Sequence, residues 1–258
     1  MMHKALIGFD INEYPEIEIF QKYFECDFCE YSEDYFNKNI SQYSILVPHL
    51  YLKLTHEHIN KASNLKYIFT PSTGTNHLDL KAINNNDINL YCLSDNAEFI
   101  SEISSTAELA WLLILAANRK ILQLNKRVLT ENSWKNNDLR GNQLKNKTIG
   151  IIGFGRLGKM IFNYAKSFDM NILIYDTDKS STIGYEDYAK DFNELLKESD
   201  IITLHPKLNE ISFEMINSET LKHMKEGVII INTSRGDVIN SNDLLDSIKS
   251  GKVRFAAL

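Results

Sequence analysis

Proline is scarce in this chain. Its 258 residues hold four prolines and 11 glycines, which leaves little room for low-complexity linkers. Cysteine is scarcer, with three: Cys26, Cys29 and Cys92. The Cys26–Cys29 pair has C-x-x-C spacing, but a zinc site wants a second Cys or His pair at similar spacing, and none is evident. A thioredoxin-like motif should open a helix, and this pair falls in an expected strand, so all three read as ordinary reduced thiols and no metal site is expected. Basic charge is also short. Lys and Arg number 28 against 34 Asp and Glu, a net charge of −6, which argues against a nucleic-acid or anionic-membrane surface. Long apolar runs are missing as well. The longest, Leu109 to Ala117, is far too short to span a bilayer, and the apolar run within the first ten residues is too short for a signal peptide. A cytoplasmic protein is expected. No internal repeat is visible.

What is present is concentrated around Gly153-Phe154-Gly155-Arg156-Leu157-Gly158. Before it, Lys147 to Ile152 is a short β-branched run that reads as a buried parallel strand. After it, Lys159 to Phe168 has helical spacing. A second apolar run, Asn171 to Tyr175, then ends in Asp176. Strand, glycine turn, helix, strand and acid in this order form a dinucleotide-binding unit. Gly153 permits the tight turn, Gly155 lets a pyrophosphate approach the backbone, and Gly158 lets the helix pack close to the strand. The helix start at Arg156 and Leu157 offers N–H groups and a partial positive charge to phosphates. Asp176 can accept hydrogen bonds from ribose hydroxyls and repels a 2′-phosphate. Asp178 adds negative charge, and no Arg stands in the next few positions, so NAD is expected over NADP.

Strand and helix signals alternate along the chain. Expected strands include Lys4–Phe9, Cys26–Tyr31, Ser44–Val47, Leu65–Thr70 and Asn89–Leu93, with helices from Pro15 and Thr55. Beyond the glycine motif, helices are expected at Phe192–Glu198, from Ser218 to a stop at Gly227, and at Ser241–Ser250. Strands are expected at Asp200–His205, Val228–Thr233 and Val253–Leu258. This rhythm predicts an α/β fold with two domains: a smaller one over residues 1–97 and a Rossmann-type doubly wound parallel sheet over 98–258. Between them, Ile103 to about Thr130 reads as one long helix. Its middle, Ala107 to Ala117, is apolar on nearly every face except at Glu108, which predicts burial between domains or in a homodimer.

These pieces together resemble the D-isomer-specific 2-hydroxyacid dehydrogenases, over about Leu65 to Leu258. Ser72-Thr-Gly-Thr-Asn-His-Leu-Asp79 looks like that family's substrate loop. Glu98 to Glu108 looks like its hinge and the start of its crossing helix. Trp134, Gly141 and Leu144 look like the lead into the glycine motif, and Ile231-Asn-Thr-Ser-Arg-Gly-Asp-Val-Ile239 like its arginine loop. The resemblance implies a flavodoxin-like substrate domain before the NAD-binding domain, and reduction of a small 2-keto acid. It makes Arg235 the catalytic, substrate-binding arginine, and a guanidinium fork suits a carboxylate better than a Lys point charge. It places Ser72, Thr73 and Gly74 on the substrate carboxylate through backbone N–H groups. It sets Thr233, Ser234 and His205 beside the cofactor, with Pro206 following directly where the family has a proline one place later. His77 reads as a solvent-facing loop histidine.

The family's acid–base pair is a Glu some thirty residues after the arginine and a His further on, and the 258 residues end before both positions. The resemblance therefore implies cofactor and substrate binding without an assigned proton donor. The competing reading is a non-catalytic NAD(H)-binding sensor or interaction module of the same fold, like the superfamily's corepressors. A third, an alanine dehydrogenase-like enzyme, shares the domain order but does not predict Asn232 to Gly236.

Overall fold

The computed structural model describes residues 3–29, 33–131 and 140–258. The chain divides into two compact units, Met1–Glu102 and Ile103–Leu258, each built on its own parallel five-stranded sheet.

In the smaller unit the strands are β1 (Lys4–Ile7), β2 (Glu25–Phe28), β3 (Ile45–Val47), β4 (Tyr67–Thr70) and β5 (Asn89–Cys92). Their order is β2-β1-β3-β4-β5, the flavodoxin-like arrangement. Four short helices accompany them: α1 (Glu33–Asn39), α2 (His56–Lys61), α3 (Leu80–Asn85) and α4 (Ala97–Ser101). Pro15 starts a 3-10 helix, Pro15–Lys22, rather than an α-helix. Strand alternation sends Leu6, Leu46 and Ile68 into one core with Phe36, Ile40 and Ile59. Ala5, Ile7, Ile45 and Val47 enter the other, against Phe20 and Phe24. Cys26 packs with the second core and Cys29 with the first, because three residues of extended chain put their side chains on opposite faces. Burial pushes both thiols above their usual range.

The larger unit opens with α5 (Ser105–Arg119) and α6 (Ile121–Glu131). It continues as β6 (Thr148–Ile152), α7 (Arg156–Ser167), β7 (Asn171–Tyr175), α8 (Phe192–Glu198), β8 (Ile201–Leu204), α9 (Ser218–His223), β9 (Val228–Asn232), α10 (Ser241–Ser250) and β10 (Val253–Ala257). The order is β10-β9-β8-β6-β7, and Ala189 adds one isolated parallel bridge outside β7, at Ile174. With that bridge counted, this is the Rossmann order with its third strand shortened to a single contact. Asp191 leaves no room for a longer strand, because its side chain already caps α8. Numbered within each unit, the two five-stranded sheets share one strand order, although the sequence shows no repeat.

The expected long helix from Ile103 to Thr130 is two helices. Lys120 adopts a left-handed conformation, φ 53°, and closes α5. The helix is also not buried all round. Ala107, Ala110, Trp111, Ile114 and Ala117 face the core, at helical spacing, while Leu112 on the opposite side is 58% exposed. The strand-and-stripe alternation of the larger unit places Ile149 and Ile151 under α5 and α7, and Ile152, Ile202 and Ile230 under α8 and α10. Although α4 and α5 together are apolar enough for a bilayer by composition, α5 alone has 15 residues, about 22 Å, against roughly 30 Å of hydrocarbon. The expected stop of α9 at Gly227 falls earlier, at Met224.

Candidate active site

Four strands of the larger unit end in register. Tyr175, Ile152, Leu204 and Asn232 are successive neighbours across β7, β6, β8 and β9. The residues that follow them are Asp176, Gly153, His205 and Thr233. At about 4.8 Å per strand, this row spans roughly 14 Å of the sheet's carboxyl edge. The order in which strands are added to the sheet reverses between β6 and β8, so the row straddles the topological switch point, where open α/β sheets bind ligands.

The three motif glycines are needed for different reasons. Gly153 has φ +89°, and a Cβ there would lie 2.5 Å from the His205 carbonyl carbon. A Cβ on Gly158 would lie 2.2 Å from the Gly153 oxygen, so these two lock turn, helix and neighbouring strand together. Gly155 has ordinary extended backbone, φ −77°, and no protein atom within 4 Å of an added Cβ. Neither packing nor backbone strain requires glycine at that position; open space for a ligand does. Gly155 caps α7 without a side chain, and the N–H groups of Arg156, Leu157 and Gly158 have no intrahelical acceptor. The Arg156 guanidinium is committed elsewhere, donating to the Ile103 carbonyl, so this residue offers a ligand its backbone.

Asp176 accepts the Phe154 N–H at 2.6 Å on one oxygen and the Asp178 N–H at 2.9 Å on the other. A carboxylate has further lone pairs on each oxygen, so both can still receive hydroxyl donors. The Ser180 hydroxyl and N–H hold the Asp178 carboxyl below its usual range, keeping it charged. Lys179, which the sequence reading passed over, extends over the Tyr175 ring, 5.5 Å from its centroid.

At the other end of the row, the His205 Nε2 lies 2.8 Å from the Thr203 hydroxyl, and Nδ1 is buried without a partner among the described residues. Burial pushes the His205 pKa down to about 4, so the ring is neutral near pH 7 and has no proton to give. The Thr233 hydroxyl is buried too and has no partner among the described residues. Two such orphans on adjacent strand ends fit an edge whose hydrogen bonds are completed by a bound dinucleotide.

Asn232, beside them, organises the arginine loop. Its side-chain oxygen accepts from the Ser234 N–H at 3.0 Å and the Ser234 hydroxyl at 2.7 Å, and its amide donates to the Arg235 carbonyl at 2.8 Å. The sequence reading did not single it out; its place as the last strand residue before Thr233 was the available signal. Arg235 is exposed. Its guanidinium rests on the Ser234 carbonyl at 2.9 Å and makes no ion pair among the described residues.

Ser72, Thr73 and Gly74 follow β4 in the smaller unit. The Thr70 and Ser72 hydroxyls are 2.9 Å apart, and Ser72 donates to the Gly74 carbonyl at 2.6 Å. That hydroxyl therefore shapes the loop. His77 is half-buried with Nε2 3.3 Å from the Thr70 hydroxyl, and is not the solvent-facing residue expected, because the loop folds back over β4. Trp134 lies outside the described residues. Gly141 packs on Arg119, and Leu144 is buried.

Fold and edge together define a two-unit α/β protein with a dinucleotide site on its larger unit. Residues 111–258 match the model of the D-isomer specific 2-hydroxyacid dehydrogenase NAD binding domain. The chain is 35% identical over 226 residues to hydroxypyruvate reductase of Thermotoga maritima, covering 88% of this chain and 72% of that protein. It is 36% identical over 225 residues to D-3-phosphoglycerate dehydrogenase of Methanocaldococcus jannaschii, covering 86% of this chain but 42% of that longer protein. An aromatic 2-oxoacid reductase of Clostridium sporogenes is 37% identical over 200 residues, 77% of this chain and 58% of that one. Among solved structures, D-lactate dehydrogenase of Aquifex aeolicus in complex with NAD and lactic acid superposes with a TM-score of 0.86 at 27% identity, over 98% of this chain and 75% of that one. The chain belongs to the D-isomer-specific 2-hydroxyacid dehydrogenases, a family of NAD-dependent oxidoreductases, and its larger unit is the family's NAD-binding domain.

Proposed function

We propose that this chain transfers hydride between NADH and a small 2-keto acid, as a D-2-hydroxyacid dehydrogenase. The observation that carries this reading is the Asn232-braced loop, which presents Arg235, without an ion pair among the described residues, on the same sheet edge as Gly155 and Asp176. The nicotinamide, when bound, supplies or accepts the hydride. Gly153, Gly155 and the N–H groups of Arg156, Leu157 and Gly158 would hold the pyrophosphate. Asp176 would hold the adenosine ribose. His205, Pro206, Thr233 and Ser234 would border the cofactor, using the two buried atoms that have no partner among the described residues. Arg235 binds the substrate carboxylate and polarises the keto group. In the smaller unit, Ser72, Thr73 and Gly74 are assigned to the carboxylate through their N–H groups. The names of the relatives support a small 2-keto acid. The unpaired cysteines suit a reducing, cytoplasmic setting.

His205 is neutral, so the proton that accompanies hydride transfer must come from another group. A second reading is a cofactor-binding module of the same fold without turnover. The test is NADH oxidation with glyoxylate, pyruvate and hydroxypyruvate. Turnover of at least one of them is expected, and none would favour the second reading. Arg235→Ala should lose activity at least hundredfold while still binding NADH, and an active Arg235→Ala variant would remove the assignment.

A further inference from the structure

We propose that the larger unit carries a second anion site, for a phosphate group, at the edge of its sheet opposite the glycine turn. This inference goes beyond the dehydrogenase reading and does not rest on it. The site is a cavity of about 160 Å³ at the place where the parallel strands begin. Lys147 immediately precedes β6, Asp200 precedes β8, Gly227 precedes β9, and Arg254 is the second residue of β10. At their other ends β6, β8 and β9 lead into Gly153, His205 and Thr233, so a strand's length, roughly 15 Å, separates the cavity from the cofactor edge. Asn118, in the last turn of α5, and Asn142 close one side. The buried Asn118 amide donates to the Asn142 carbonyl at 2.6 Å, and the Asn142 N–H donates to the Asn118 carbonyl at 3.1 Å, so that wall is fixed. Gly227, left-handed at φ 71°, has no Cβ to fill the space beside Arg254. A cavity of about 150 Å³ holds a benzene-sized molecule, so this one has room for a phosphate.

Charge selects the ligand. Three cations and two carboxylates line the cavity, and both carboxylates are already satisfied. Asp200 accepts the Thr148 N–H at 2.9 Å on one oxygen and pairs with Lys225 at 3.2 Å on the other. Burial opposes its charge, yet these two partners and the nearby Lys147 hold the carboxyl below its usual range. Glu226 is largely exposed and pairs with Lys252 at 2.9 Å. Lys147 and Arg254 are left over. Neither side chain makes an ion pair or a hydrogen bond among the described residues, and neither does the Asn142 side-chain amide. Two unmatched positive charges around one small cavity complement a dianion. A guanidinium fork and an ammonium point charge together suit the several oxygens of a phosphate better than the two of a carboxylate.

Inorganic phosphate could also occupy the glycine turn, so the measurements are made in a Gly155→Val background. Isothermal titration calorimetry at constant ionic strength compares inorganic phosphate, glycerol 3-phosphate and acetate. Phosphate is expected to bind at one site, and acetate at least tenfold more weakly. Lys147→Gln and Arg254→Gln, each added to that background, should weaken phosphate at least tenfold and leave Tm without phosphate unchanged, since neither side chain has a partner to lose among the described residues. Tighter binding of glycerol 3-phosphate than of inorganic phosphate would support a phosphate ester as the ligand, and the reverse order would support free phosphate. Absence of phosphate binding in the Gly155→Val background, or binding there that neither substitution weakens, would overturn the inference. Equal affinity for phosphate and acetate would overturn it too. None of these results depends on NADH oxidation, so the dehydrogenase reading stands or falls separately.

Discussion

Asp176 and His205 both follow strands of one sheet edge, yet their surroundings differ. Asp176 is half-buried, stays within reach of water and gathers two N–H donors. A 2′-phosphate beside it would meet a fixed negative charge. NADH is expected to bind at least tenfold more tightly than NADPH, about 1.4 kcal/mol, in fluorescence titrations with both cofactors. Equal affinity would mean that Lys179 has swung from Tyr175 to take the phosphate. His205 is held neutral instead. Its pKa in the folded chain is about 4 against an ordinary 6.5. The unfolded chain therefore takes up the proton first as pH falls. The stability from the neutral ring is complete above about pH 6.5 and is lost as pH falls towards 4, roughly 3 kcal/mol in all. Urea unfolding at pH 7.5 and 5 should show His205→Gln losing less stability between the two than wild type does. Identical losses would mean that the ring is not buried in solution. Among single residues, the glycines, Asp176 and Arg235 were legible because each must be one residue type for a reason that spacing exposes. Asn232 was not, since an amide at a strand end gains meaning only when the turn it braces is seen.

At the scale of elements, the turn from β6 into α7 separates structural from ligand-facing glycine. Gly158→Ala is expected to lower stability by about 1–3 kcal/mol, because the added carbon meets the Gly153 carbonyl and neither backbone can yield. Gly155→Val should leave Tm within a degree or two and weaken NADH binding at least tenfold, because its side chain enters space the protein leaves open. Thermal melts with and without NADH distinguish these outcomes; equal destabilisation by both would contradict the packing described here. Strands were legible in the larger unit because a strand buried on both faces is a plain apolar run, as in Val228–Asn232. The break at Lys120 was not, because α5 and α6 join without Gly or Pro. Lysine in a left-handed conformation leaves no signal in composition. The strand at Ala189 was lost for the opposite reason: one bridge is too little chain to impose a period.

For the whole molecule, the exposed apolar side chains of α5 and α6 call for a partner. Leu112, Ile121, Leu122 and Leu129 are exposed on a surface that a second copy would cover. We propose a homodimer, with Leu112→Glu and Leu129→Glu together converting it to a monomer that keeps its circular dichroism spectrum. Light scattering at micromolar concentration decides, and a monomeric wild type would end the proposal. Trp111 is a poor probe despite its prominence in the sequence. It is packed against Tyr164 and Phe168, so a charge there would unfold the unit rather than split a dimer.

The isolation of each sheet within one continuous stretch of chain has a consequence for how the protein is made. Every strand of the smaller sheet is complete by Cys92, before any strand of the larger one begins at Thr148. On the ribosome the first unit can therefore close while the second is still being synthesised, with no strand held open for a distant partner. Within the second, β6 and β7 are paired across one short helix, whereas β8 must return to β6 from the far side of α8. The glycine turn thus belongs to the most local, and so the earliest affordable, pairing of that sheet. That β-α-β segment, which holds the glycine turn, is therefore expected to form first, with the remaining strands of the sheet added to it.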